Sequence, residues 1–103
     1  MIIITTDQGN IVKLGTNQNE NQQIINEADP NWIWFHADKF PSGHAIIETN
    51  SPTKQEIIQV SLLVKNRCKL KHYHKGKIIN CPIKNLTQTK IPGEVNLKRR
   101  TKT

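Results

Sequence analysis

Two histidines, His36 and His44, stand on either side of a predicted hairpin loop and are the side chains best suited to chemistry. Residues 32–36 are aromatic and β-branched, which predicts a strand. Residues 41–43 turn the chain before a second apolar strand at 44–49. If the two strands pair directly, the imidazoles meet at the loop end. They could then hydrogen-bond a phosphate or a ribose hydroxyl, or they could bond backbone carbonyls and hold the loop in shape.

A catalytic role for this pair would need a nucleophile or a second acid–base group arranged around it. Asp38 and Ser42 are close in sequence, but their spacing does not establish that geometry. The chain also lacks a phosphate-binding P-loop, a dinucleotide glycine pattern and an H-E-x-x-H motif. We therefore expect a protein that is not an enzyme and has no cofactor.

Strand alternation places Trp32, Trp34 and His36 on one face of the first hairpin strand. Phe35 lies on the other face. We expect Trp34 and Phe35 to belong to the core, because the chain has few aromatic residues. Trp32 is the better candidate for an exposed ring that stacks on an unpaired base, an interaction worth about 1–3 kcal/mol.

Positive charge is concentrated in the second half of the chain. Residues 1–52 carry two basic and six acidic side chains, whereas residues 53–103 carry thirteen and two. This asymmetry indicates a partner rich in phosphate or acidic groups, although it also fits a solvated surface. With twelve lysines against three arginines, we expect backbone contacts rather than base recognition. The candidate binding cations are Lys65, Arg67, Lys69, Lys71, Lys75, Lys77, Lys84, Arg99 and Arg100.

The helical signals predict one short and one long helix. Asn17 lies three residues before Glu20 and predicts a short helix at 18–26. Thr53 and Glu56 form a stronger capping box, followed by a broad apolar stripe typical of a core helix. Short β-branched runs at 1–6 and 10–14 predict a first hairpin, and strands at 77–81 and 94–98 complete the pattern. The predicted fold is α+β, with a mixed or antiparallel sheet of about five strands packed against both helices.

Several segments together resemble the NFACT-R domain, the RNA-binding module of NFACT-family ribosome-quality-control factors. The resemblance begins at Trp34-Phe35-His36, continues through a loop containing lysine and glycine, and resumes at His44-Ala45-Ile46. Other segments follow in the order of that family. They are Gly15 with Asn21 and Ile24, the apolar helix, Ile78-Ile79, Lys84-Asn85-Leu86 and Pro92-Gly93-Glu94-Val95.

The resemblance implies a free-standing module over residues 1–97, followed by a basic tail at 98–103. It further implies non-catalytic binding of structured RNA, such as tRNA or ribosomal RNA, and a possible ribosome partner. RNA is favoured over DNA on this ground alone, and His36 and His44 are the family's recurring pair. The chain departs from the family pattern at Trp32, Asn80 and Cys81, where Asp, Tyr and Thr are usual. The alternative function is a protein-interaction module whose basic face binds an acidic partner.

The two cysteines, Cys68 and Cys81, are fewer than a small secreted scaffold usually carries, so we expect reduced thiols. With His72 and His74 they could supply four zinc ligands, but structural zinc favours two tight pairs. We therefore expect no metal. The sequence has neither a secretory signal nor an apolar run long enough to span a bilayer. A cytoplasmic protein without a membrane partner is expected.

Overall fold

The computed structural model describes residues 1–38, 41–68, 77–88, 94–97 and 101–102. Its helices are α1 (Gln18–Asn26) and α2 (Lys54–Asn66). Its strands are β1 (Ile2–Thr5), β2 (Ile11–Leu14), β3 (Ile33–Ala37), β4 (Ala45–Ile47), β5 (Ile78–Pro82), β6 (Leu86–Gln88), β7 (Val95–Leu97) and β8 (Thr101–Lys102). None of the helices in these ranges is long and apolar enough to cross a membrane.

Six strands form one sheet in the order β1-β2-β4-β3-β5-β8, and each neighbouring pair is antiparallel. The predicted α+β class, with one short and one long helix, is confirmed. Strand β7 lies within the predicted strand at 94–98, and it pairs in a separate two-stranded sheet with β6, which lies where the sequence predicted only a connection. Within the expected basic tail, Thr101–Lys102 pairs with β5 and joins the sheet.

The two helices cover opposite faces of the sheet. On the α2 face, Phe35, Ala45 and Ile47 pack with Val60 and Val64 of the helix. On the other face, Trp34, Ile46 and Ile79 form a second cluster with α1 residues Ile24 and Ile25. The alternation predicted for β3 is therefore confirmed, and both β3 and β4 contribute side chains to both clusters.

The strand pairings define two ends of the sheet. At the histidine end, β3 finishes at Ala37, which pairs with Ile78 at the start of β5. At the tryptophan end, β3 begins at Ile33, which pairs with Pro82. Because β4 and β5 both run antiparallel to β3, they are parallel to each other, and α2 connects them across β3. Helix α2 thus begins at the tryptophan end and runs toward the histidine end.

Both predicted helix starts are confirmed. Asn17 Oδ1 accepts the Glu20 backbone N–H at 2.9 Å, and α1 has the predicted bounds. For α2, the Thr53 hydroxyl accepts the Glu56 backbone N–H at 3.1 Å, and the Glu56 carboxylate accepts the Thr53 N–H at 3.0 Å. These bonds satisfy backbone donors that the helix itself leaves unpaired.

Glu56 also ties α2 to the β1–β2 turn. Its Oε2 accepts hydrogen bonds from Thr6 Oγ1 at 2.6 Å and from Asn10 Nδ2 at 2.8 Å, and only 1% of the residue is exposed. Burial alone would raise the pKa of this carboxyl, but its hydrogen bonds with Thr6, Thr53 and Asn10 outweigh burial and lower the pKa. Glu56 is therefore a buried, ionised link between the helix and the sheet.

We predict that Glu56→Gln destabilises the protein by about 1–3 kcal/mol. Both carboxylate oxygens of Glu56 accept hydrogen bonds, whereas the amide nitrogen of glutamine can only donate them. Wild-type Glu56 contributes stability above the ordinary carboxyl pKa, and this contribution disappears as pH falls through its lowered native value. Urea unfolding at pH 7 and pH 3 measures both effects. Glu94→Gln is the control variant, because Glu94 is exposed. Equal stability of the two variants at pH 7 would contradict the prediction.

Candidate functional site

The predicted meeting of the two histidines is confirmed at the histidine end. Phe35 pairs with Ala45, which sets His36 opposite His44 on the face covered by α1. Their ring centres lie 4.8 Å apart, with the ring planes at 81°. The Trp34 ring stacks on His36, with centres 5.6 Å apart and an interplanar angle of 10°. His44 is buried, whereas His36 is partly exposed.

Two hydrogen bonds determine which nitrogen carries the proton in each neutral ring. Trp34 Nε1–H can only donate, so His44 Nδ1 accepts at 3.0 Å and the proton of the neutral ring is on Nε2. The Ala37 carbonyl can only accept, so His36 Nδ1 donates at 2.7 Å and Nε2 carries no proton in the neutral ring. The neutral pair thus contains one Nε2 donor and one Nε2 acceptor.

The environment keeps both rings neutral near pH 7. Burial, with a smaller contribution from neighbouring His36, lowers the pKa of His44 to about 3. Burial also lowers the pKa of His36, although the hydrogen bonds with the backbone of Ala37 and Ser42 oppose this change. Protonation of His44 Nδ1 would also eliminate its bond from Trp34. The pair is therefore a polar group without net charge.

Close backbone packing holds the start of β4 in place. The Gly15 N–H donates to the His44 carbonyl at 2.9 Å, and Asn21 Oδ1 accepts the His44 N–H at 3.1 Å. A Cβ atom on Gly15 would overlap the Asn21 side chain, and one on Gly43 would overlap the Gly15 carbonyl oxygen. This packing requires glycine at both positions and links α1, β2 and β4 behind the histidine pair.

The Ser42 hydroxyl bonds backbone groups of its own hairpin. Ser42 Oγ accepts the Ala37 N–H at 3.1 Å and donates to the Gly43 carbonyl at 3.0 Å. The Asp38 backbone N–H donates to the Lys77 carbonyl at 2.8 Å. The serine hydroxyl therefore holds the β3–β4 loop rather than facing a general base.

Three of the predicted cations lie at the histidine end. Lys65 and Arg67 are at the C-terminal end of α2, where positive charge also stabilises the helix dipole. Lys77 is exposed and directly precedes β5. The predicted residues Lys69, Lys71, Lys75, Arg99 and Arg100 lie outside the described residues.

Trp32 and Lys84 lie at the opposite end of the sheet from the histidines. The Ile83 N–H donates to the Trp32 carbonyl, and Lys84 Nζ donates to Asn31 Oδ1 at 3.2 Å. Trp32 and His36 are four residues apart in extended chain, which corresponds to about 13 Å at about 3.3 Å per residue. Trp32 is half-buried against the α1-side cluster, whereas Trp34 and Phe35 are buried as predicted. The structure therefore does not join Trp32 and Lys84 to the histidine pair.

The described acidic residues have an uneven distribution. Asp7 in the β1–β2 turn, and Glu27 and Asp29 after α1, lie at the tryptophan end, as do the cations of Lys54 and Lys84. At the histidine end, the Glu20 carboxylate pairs with the N-terminal ammonium at 2.8 Å, and Asp38 is buried. The exposed charge is therefore more positive at the histidine end.

The two cysteines pack on opposite faces of the sheet. Cys68 contacts the cluster beneath α2, and Cys81 belongs to the cluster beneath α1. Both are free thiols, and burial raises the pKa of Cys81 to about 11, which makes it a poor nucleophile and metal ligand at neutral pH. His72 and His74 lie outside the described residues. Cys68 and Cys81 therefore do not form one site.

Comparison with known proteins supports the fold. No family model matches the chain. Protein JLP2 of Saccharomyces cerevisiae is 30% identical over an alignment of 102 residues. The match covers 84% of this chain and 48% of that protein. This chain therefore spans about half the length of that curated relative. The solved C-terminal structure of the fibronectin/fibrinogen-binding protein from Streptococcus suis has a TM-score of 0.89 and 22% identity, covering 98% of this chain and 42% of that one.

We predict that His44 remains neutral, with its proton on Nε2, down to about pH 4. A charged ring at this position would be buried away from water and would lose the hydrogen bond from Trp34. The unfolded chain binds this proton near pH 6.5. Stability should therefore fall between pH 6.5 and 3, by up to about 5 kcal/mol. Nitrogen-15 NMR of the imidazoles measures the tautomer and protonation of His44, and urea unfolding measures the stability. An Nδ1–H tautomer, or protonation above about pH 5, would show that the assignment is wrong.

We predict that Gly15→Ala destabilises the protein by about 2–4 kcal/mol, because the added methyl overlaps Asn21 Oδ1 and separates α1 from β4. Gly9→Ala is a useful comparison, since Gly9 has open space but a φ of 89°. Gly9→Ala should lower the free energy of unfolding by only about 1 kcal/mol, through backbone strain. Thermal unfolding measures both. A Gly15 variant as stable as the Gly9 variant would rule out the close packing.

Proposed function

We propose that this chain is a non-catalytic nucleic-acid-binding module of the cytoplasm that holds structured RNA, such as tRNA or ribosomal RNA, by its phosphate backbone. The observation that carries the proposal is the placement of Lys65, Arg67 and Lys77 at the same end of the sheet as a polar histidine pair. Cations neutralise phosphates and release counterions, which supplies most sequence-independent affinity for nucleic acids.

The distribution of charge makes the histidine end the proposed binding surface. A polyanion is attracted there and is repelled by Asp7, Glu27 and Asp29 at the other end. In the sequence, Lys69, Lys71 and Lys75 fall between Cys68 of the α2 end and Lys77, and they add to the basic character of this segment. We accordingly assign Trp32 and Lys84 no part in the principal binding surface, although the sequence made both candidates.

The choice of RNA depends on the resemblance to the NFACT-R domain, since charge alone does not distinguish nucleic acids. The solved neighbour is described as binding fibronectin or fibrinogen, but its 22% identity to this chain supports likeness of fold only. The name of the yeast relative states no activity, and this chain spans 48% of it. An acidic protein partner is the alternative that a binding experiment must distinguish from RNA.

We predict that Arg67→Gln and Lys77→Gln each weaken tRNA binding, because each variant lacks one cation that neutralises a phosphate. The slope of log affinity against log salt should become shallower by about 0.7–0.9 for each phosphate that is no longer neutralised. Fluorescence anisotropy between about 50 and 200 mM salt measures the slope. Lys54→Gln and Lys84→Gln remove the same charge at the tryptophan end and should change binding far less.

The partner class is tested by titrating tRNA, duplex DNA and polyglutamate in parallel. Preference for tRNA that persists at about 200 mM salt supports the proposal. Equal, fully salt-sensitive binding to all three would reduce the proposal to nonspecific charge attraction. Tightest binding to polyglutamate would instead favour the protein-interaction alternative. Equal weakening in all four charge variants would show that the histidine end is not the binding surface.

A further inference from the structure

Strand β1 forms one edge of the six-stranded sheet. Within the described residues, β2 is its only neighbouring strand. Helix α1 packs mainly on β2 and β4, and helix α2 packs mainly on β3, β4 and β5, so the principal helix contacts also lie away from β1. In the part of the chain that the structure describes, the outer backbone groups of β1 therefore have no strand beside them.

The hydrogen bonds around the β1–β2 turn determine which backbone groups of β1 point outward. The Thr6 N–H donates to the Asn10 carbonyl at 2.9 Å, so Thr6 bonds toward β2. Consecutive residues of an antiparallel strand bond to alternate sides, which makes Ile4 bond toward β2 as well. The N–H and C=O groups of Ile3 and Thr5 consequently point to the outer edge. The bonds from β2 to β4 have the alternation that this assignment requires.

The exposed apolar side chains of the sheet are concentrated at this edge. Ile3 is 59% exposed, and Met1 and Ile11 are exposed as well. Strand alternation places Ile3 and Ile11 on the face that α2 does not cover, because the adjacent strand residues pack on the α2-side cluster. Among the described residues, the other exposed large apolar side chains are Ile58 and Leu62 of α2. Pairing at the β1 edge would remove apolar surface of Ile3 from water, which favours association.

Nothing in the composition of β1 prevents pairing with a further strand. Natural edge strands usually carry a lysine, a proline or a bulge that discourages such pairing. Residues 2–5 are three isoleucines and a threonine, and they pair with β2 in an unbroken register. The strand at the opposite edge, β8, instead contains Lys102. The β1 edge is therefore suited to accept another strand.

Charge favours a second copy of this chain as that strand. The Met1 ammonium, which pairs with Glu20, lies at one end of β1, and exposed Asp7 follows the other end. In an antiparallel pair of β1 strands, the positive end of one copy lies beside the negative end of the other. The strand itself has no charged side chain that opposes the contact. An identical strand also supplies an acceptor for each outward donor.

The basic histidine end stays far from such a contact. Strand β5, which Lys77 precedes, is four strand positions from β1 and therefore about 19 Å away, at about 4.8 Å per strand. Across a pair of β1 strands, the two Lys77 residues are about 40 Å apart, whereas charge is screened over about 8 Å at physiological salt. The positive charge at the histidine end thus does not oppose association through β1.

We infer that two copies of this chain associate through β1, antiparallel and related by a two-fold axis, so that one sheet continues across both. Ile3 lies opposite Ile3 of the second copy, and their backbones exchange two hydrogen bonds. Each Thr5 N–H donates to the Met1 carbonyl of the other copy. Both copies use the same edge, so association ends at the dimer. This dimer is independent of the proposed binding of RNA.

Sedimentation velocity of the whole chain, without nucleic acid, tests the oligomeric state. Because the contact joins two short strands, we expect a weak dimer with a dissociation constant of about 0.1 mM. The protein should therefore sediment as a monomer at about 10 µM and mostly as a dimer at about 1 mM.

Two lysine variants test the position of the interface. Ile3→Lys places two ammonium groups opposite each other in the dimer and should raise the dissociation constant by about five- to tenfold. Ile58→Lys is the matched control, because it makes the same change at an exposed apolar position of α2, and it should leave the dissociation constant unchanged. Circular dichroism at the lower concentration checks that both variants are folded.

The proposed hydrogen bonds have their own test by NMR. In wild-type protein, the amide proton signals of Ile3 and Thr5 should move downfield as concentration rises, since each gains a hydrogen bond. The Ile4 amide already bonds toward β2 and should move much less. Thr5→Pro removes an outward N–H, a change that edge strands tolerate, and should weaken the dimer at least about fivefold.

Three results would overturn the inference. A protein that stays monomeric at about 1 mM would leave the edge to a strand of a different protein. A dimer that Ile58→Lys weakens as much as Ile3→Lys would show that the interface includes α2. Species larger than a dimer would contradict the two-fold arrangement. Each of these results leaves tRNA binding by the histidine end unaffected.

Discussion

The hydrogen bond from Trp34 Nε1 to His44 Nδ1 is the interaction on which the site depends. It requires the register in which Phe35 faces Ala45, because a shift of one residue would turn the indole toward α2. It also requires a dry environment, which α1 supplies by packing Ile24 and Ile25 against the same face. The tautomer and the neutral state of His44 both follow from this arrangement.

The topology explains why charge and hydrogen-bonding groups share one end of the sheet. Helix α2 connects β4 to β5 across β3, so its C-terminal cations and the first residues of β5 lie where β3 finishes. Helix α1 runs in the opposite sense, from the end of β2 to the start of β3, and leaves Glu27 and Asp29 at the other end. Chain direction therefore separates the charges. The proposed attraction of a polyanion to the histidine end depends on that separation.

Local patterns predicted the parts of the structure that depend on neighbouring residues. The caps of Asn17 and Thr53 specified both helix starts, because a capping side chain bonds backbone groups within three residues. Strand alternation assigned Trp34 and Phe35 to opposite faces. The short strand β6 was missed, since three residues after a turn at Ile83–Asn85 carry little periodicity. Asn21 was noticed for its spacing from Gly15, but its bond to His44 joins residues 23 positions apart.

By itself, the sequence determined the α+β class, the helix starts, the hairpin between the two histidines and the unequal charge of the two halves. These properties depend on side-chain chemistry, turn residues and short-range periodicity. Only the tertiary structure decided that Trp32 and Lys84 lie at one end of the sheet while the histidines and Lys77 lie at the other. Only it decided which imidazole nitrogen accepts and which donates. Strand order, crossover direction and long-range hydrogen bonds set these features, and residues distant in sequence must pack together before those features exist.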